Sequence, residues 1–156
     1  MGWIKELKDK RTAEDRHTAE QLEKVRIIRA KLPEFWHSVV GRLQADCVEL
    51  KSEFPSIQEY RCEFAASGRG FKLKSGGIPG KMIRAEANFE GLCVTVIFGE
   101  LDDVFGDWRD SGAKREITVG LNGGDHLTFT NGGASMSTLD EISRYFFSLV
   151  LEFPNG

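Results

Sequence analysis

The stretch GELDDVFGDWRDSG, residues 99–112, sets five carboxylates around one arginine and two aromatic rings. Carboxylate oxygens at that density are the ligands a hard cation takes, provided the loop curls around the ion. Asp102, Asp103, Asp107 and Asp110 would supply them. Their spacing departs from the calcium-loop pattern, with no Asp-x-Asp-x-Asp-Gly run and no closing glutamate. Arg109 in their midst would pair with a carboxylate and compete with a cation. The expectation is a wet connector between two strands, pinned to the sheet by Phe105 and Trp108, with no metal and no cofactor. Trp108 and Arg109 remain candidates for contact with a ligand or partner, because loops on a rigid scaffold often carry binding.

A second candidate is cationic. In SGRGFKLKSGGIPGKMIR, residues 67–84, Arg69, Lys72, Lys74, Lys81 and Arg84 form a basic set around glycine-rich turns. Converging backbone donors and cations are what phosphate recognition needs, usually at a helix N-terminus. Here the glycines separate strands, so the phosphate-loop and dinucleotide readings fail on context. The competing reading is that these side chains solvate an open sheet face and discourage edge-to-edge pairing.

Nucleophile chemistry finds little support. There is no GxSxG elbow and no HExxH pair. His17 lies on a charged stretch, and His37 sits beside Trp36 at the expected edge of a core. His126 follows Asp125, but successive strand residues point to opposite faces, which separates an acid from the base it would orient. Cys47, Cys62 and Cys93 are odd in number and widely spaced, without a CxxC, so they read as buried, reduced, small apolar residues.

The elements that position these groups follow from periodicity. Leu22, Val25, Ile28, Leu32, Phe35, Trp36, Val39, Val40, Leu43, Cys47 and Leu50 recur at three- and four-residue steps, the stripe of an amphipathic helix. Pro33 predicts a kink or break, and Phe54-Pro55 predicts the end. Upstream, KDKRTAEDRHTAEQ has strong helix propensity and little to bury, so residues 1–21 read as a charged, partly solvated helical extension. From residue 57 the period changes to two. Tyr60, Cys62 and Phe64 alternate with charges, FKLKS and KMIRAEANF follow, and LCVTVIFGE is apolar on both faces, as a strand covered on both sides would be. REITVGL and HLTFT flank an Asn-Gly-Gly-Asp turn, a strong hairpin signal. Thr138 and Glu141 have capping-box spacing before ISRYFFSLVLEF, a helix apolar nearly all round.

The sum is an α+β fold: a long N-terminal helix kinked or broken near Pro33, a six-stranded, mainly antiparallel sheet, and a C-terminal helix packed on one sheet face. Its 156 residues suit a single domain spanning 1–156. No apolar run approaches the length of a membrane span, and MGWIKELKDKR lacks the apolar core of a secretory signal, so a cytoplasmic location with no membrane contact is expected. Charge is uneven: residues 1–56 carry 11 basic and 10 acidic side chains, and residues 92–156 carry 4 and 10. That acidic balance disfavours a nucleic-acid partner.

These features point to a non-catalytic interaction module, of an adaptor, chaperone-like or immunity type, whose partner is another protein or a second copy. The alternative is a small-molecule binder or enzyme with a pocket between sheet and helices, lined by Trp36, His37, Tyr60, Cys93 and Tyr145.

Overall fold

The computed structural model describes residues 2–77, 80–101 and 108–153, with the backbone alone at 101, 108 and 110. Helix α1 (Trp3–Glu53) has 51 residues and is about 77 Å long at 1.5 Å per residue. It ends as Phe54-Pro55 requires: the Phe54 N–H still reaches the Leu50 carbonyl at 3.0 Å, and then the chain turns away. The helix does not break at Pro33. Pro33 faces solvent, where water can satisfy the Arg29 carbonyl that loses its N–H partner, while buried Leu32 and Trp36 anchor the turns on either side.

The sheet is an open antiparallel meander of β1 (Glu63–Ser67), β2 (Gly70–Lys74), β3 (Lys81–Asn88), β4 (Cys93–Leu101), β5 (Trp108–Leu121), β6 (Leu127–Asn131) and β7 (Ala134–Met136). Spatial order equals sequence order. The expected six strands are seven, because the second Asn-Gly-Gly carries a short return strand as well as a turn. Gly132 and Gly133 take the positive φ values, 56° and 96°, that place Asn131 opposite Ala134. The first strand also starts later than its alternation predicts. Gln58–Tyr60 is a single 3-10 turn, held back toward the helix end by Arg61, whose Nη2 donates to the Pro55 carbonyl at 2.9 Å. Tyr60 and Cys62 are nevertheless buried, against the helix side rather than as part of the ladder.

β4 lies in the middle of the sheet, but only one of its faces is fully covered. Val94 and Val96 are buried under the helices, whereas Cys93, Thr95 and Ile97 on the other face are half-buried. Their register neighbours Arg84, Glu116 and Lys114 supply long side-chain stems where a second layer was expected.

Helix α2 (Leu139–Ser148) begins with the predicted capping box: Thr138 Oγ1 accepts from the Glu141 N–H at 3.1 Å, and Glu141 Oε1 accepts from the Thr138 N–H at 3.3 Å. Both helices pack on the same sheet face around Trp36. Its ring stacks on Phe71 of β2 at 5.8 Å, meets Phe146 of α2 edge-on at 6.5 Å, and lies 6.3 Å from Phe129 of β6. The Trp36 Nε1–H is buried without a hydrogen-bond partner among the described residues, so its contribution is apolar packing less the desolvation of that donor.

Candidate functional site

The feature that packing does not explain is the outer half of α1. The stripe that meets the sheet consists of Ile28, Leu32, Trp36, Val39, Leu43 and Cys47. At one end of the strands the helix is fastened to the β3–β4 and β5–β6 turns. Arg29 Nη2 donates to the Glu90 carbonyl at 3.0 Å, and Lys31 Nζ donates to the Asp125 carbonyl at 2.6 Å. Outside these contacts residues 3–24 are exposed throughout, including Trp3 at 72%, Ile4 at 66%, Leu7 at 49% and Leu22 at 65%. Ile4 and Leu22 are eighteen residues apart, as are Leu7 and Val25, and eighteen residues make about five whole turns. All four therefore lie on one face, the outward continuation of the stripe buried further along.

The open face of the sheet carries the basic set. Lys72 stands opposite Arg84, Arg84 opposite Ile97, and Ile97 opposite Lys114, giving one cationic row across β2 to β5. The next row runs from Gly70 through Glu86 and Thr95 to Glu116 and is acidic. A cleft of about 400 Å³ on this face is lined by Ala65, Ser67, Lys72, Arg84 and Glu86. The remaining candidates are not gathered there. Arg69 pairs with Glu90 at 3.2 Å and sits 4.6 Å over the Phe89 ring, Lys74 approaches Glu63 at 3.5 Å, and Lys81 is exposed at the start of β3. Lys114 completes the row and was not singled out in the sequence, because its place depends on a register set across two other strands.

The described parts of the acidic stretch are strand. Residues 99–101 belong to β4 and 108–112 to β5, with Glu100 opposite Arg109 and Gly99 opposite Asp110. Asp102, Asp103, Phe105 and Asp107 lie outside the described residues, as do the side chains of Trp108 and Asp110. Arg109 is exposed. Among the described residues no group of three or more His, Cys, Asp or Glu is placed to hold a metal ion.

The pocket expected between sheet and helices is not formed by the residues proposed for it. Trp36 fills that layer, Tyr60 packs edge-on against Phe54 at 5.3 Å, Cys93 is on the open face and His37 is exposed. Tyr145 accepts hydrogen bonds from Asn131 at 2.7 Å and Arg115 at 3.2 Å. A shallow groove of about 290 Å³ lies instead between the helices, lined in part by Asp46, Glu49, Glu53, Asp140 and Phe147. Arg42 bridges Asp46 at 2.9 Å and Asp140 at 2.7 Å, and Ser143 donates to Asp46. This network joins the helices.

No family model, no curated protein and no solved structure matches the chain. Among the described residues no helix is long and apolar enough to cross a membrane.

Proposed function

We propose that the chain is a non-catalytic protein-interaction module that works through the projecting half of α1, and that the partner these residues fit is a second copy. The observation that carries this reading is the stripe of exposed Ile4, Leu7 and Leu22, which half-buried Val25 continues toward the core. Set antiparallel about a two-fold axis between Glu14 and Asp15, two such helices place Ile4 opposite Val25 of the second copy and Leu7 opposite Leu22 of the second copy. The contact is self-complementary, as a two-fold interface must be. Residues 3–27 carry 7 basic and 6 acidic side chains, so neither copy repels the other by net charge. Arg11 lies on the same face one turn from Glu14 and reaches across toward Glu14 of the second copy. Glu14 and Asp15 oppose each other's like charge at the axis, which keeps the association modest and favours this register only while the apolar ends are intact.

Sedimentation velocity over a range of protein concentrations tests this. The expected result is a monomer–dimer equilibrium that Leu7→Glu or Leu22→Glu shifts to monomer without lowering the melting temperature, since neither side chain touches the sheet. Asp15→Asn tightens it. A monomer at every concentration, or a dimer indifferent to both leucine variants, overturns the self-pairing.

A further inference from the structure

We propose that Cys47 and Cys62 form a site of reversible thiol oxidation, at which hydrogen peroxide converts the pair into an intrachain disulfide tying the last turns of α1 to the segment that leads into β1. The two sulfurs are 3.1 Å apart, in direct contact and about 1 Å beyond the length of an S–S bond. Both are buried: Cys47 is 2% exposed in the last turns of α1, and Cys62 is 0% exposed just after the 3-10 turn. Cys47 Sγ also donates to the Cys62 carbonyl at 3.3 Å, which fixes the direction of its side chain toward its neighbour. Only fifteen positions separate the two in the chain, and the turn at Pro55 folds one back upon the other.

The chemistry has an order. The hydrogen bond with Cys62 lowers the Cys47 thiol to about 7, with Lys51 assisting against the opposing effect of burial. The same bond and burial push the Cys62 thiol up. Cys47 is therefore the thiolate that attacks, the form in which a cysteine is a nucleophile. Its sulfur bonds to one peroxide oxygen, the O–O bond breaks, and the departing oxygen leaves as water after taking a proton, giving a sulfenic acid at Cys47. The Cys62 sulfur then attacks the Cys47 sulfur. The S–S bond forms, the S–O bond breaks, and the Cys62 proton leaves with the hydroxide as a second water. Two electrons pass from the sulfurs to the peroxide. Burial limits the reagent to one about the size of water, and it shields the sulfenic acid from larger thiols until Cys62 resolves it. Cys93 takes no part: it lies on the open face of the sheet, and burial and Glu116 raise its thiol.

The test uses the full chain, purified reduced and exposed to hydrogen peroxide, then alkylated and digested with trypsin without reduction. Cleavage after Arg42, Lys51, Arg61 and Arg69 separates residues 43–51 from 62–69, so the bond is read as those two peptides travelling as one mass. The expected result is that cross-linked species, with alkylation at Cys93 alone, a melting temperature raised by several degrees, and reversal of both by dithiothreitol. In Cys62→Ala the same treatment is expected to leave Cys47 as sulfenic or sulfinic acid with no cross-link. Alkylation at all three cysteines after oxidation, or a cross-link that includes Cys93, overturns the proposal.

Discussion

Trp36 offers the sharpest test of the packing, because its two halves work in opposite directions. The ring system is wedged between Phe71, Phe129 and Phe146, joining α1, the sheet and α2, while its Nε1–H is buried without a partner among the described residues. Trp36→Ala removes the whole wedge, and such truncations cost about 3–5 kcal/mol. Trp36→Phe keeps one ring, and with it the aromatic contacts. The cavity left by the lost half-indole costs on the order of 1–2 kcal/mol at about 24 cal/mol per Å³ of residual volume. Against that, removing the unsatisfied donor restores about 1–3 kcal/mol of desolvation. The expected outcome is a phenylalanine variant within about 1 kcal/mol of the parent and an alanine variant at least about 2 kcal/mol below it. Urea titration followed by far-UV circular dichroism reads both, provided the m-value is unchanged. A phenylalanine variant as damaged as the alanine variant refutes the reasoning, since it would mean that the indole N–H contributes to the native state.

Other substitutions probe particular elements. A Cβ on Gly76 would overlap the Gln58 and Arg61 carbonyls, so Gly76→Ala is expected to lower stability by roughly 1–3 kcal/mol, and a neutral denaturant midpoint would show that the 3-10 turn yields easily. Thr138→Ala removes the α2 cap and is expected to cost about 1 kcal/mol by the same titration. Lys72→Glu replaces a like-charge pair opposite Arg84 with an opposite one and is expected to stabilise by about 0.2–1 kcal/mol, less at high salt. A loss instead would mean that the cationic row has a structural role which its exposure does not suggest.

How far the sequence could be read depended on the range of each interaction. Ile28, Leu32, Trp36, Val39, Leu43 and Cys47 are the buried face of α1, and all belong to the stripe legible from spacing alone. Leu22 belongs to that stripe too and is exposed, because periodicity shows which way a residue points but not where the sheet stops. The Thr138 cap was legible for the same reason as the stripe: its partners are three residues apart. β7 escaped because three residues cannot display an alternation, and residues 108–112 because Trp-Arg-Asp-Ser-Gly shows no apolar alternation. Among candidate site residues, Lys72 and Arg84 were visible as a basic segment, but their row with Lys114 exists only through the β3–β4–β5 register. The Cys47–Cys62 contact joins a helix to the segment before β1, and spacing could not place the two sulfurs side by side.

The outer helix and the core are one structure in a thermodynamic sense. KDKRTAEDRHTAEQ buries nothing, and a lone helix of that composition would be marginal in water, since nucleation is unfavourable and little follows to offset it. Here nucleation has already occurred, in the turns from Ile28 to Cys47 that the sheet and α2 hold in place. Each residue outward from Ile28 only propagates an existing helix, aided by pairs such as Glu23 with Arg26 and by Glu6–Lys10 and Glu20–Lys24 at the favourable spacing. The interaction face is thus presented in the conformation a partner needs, and binding does not have to order it first.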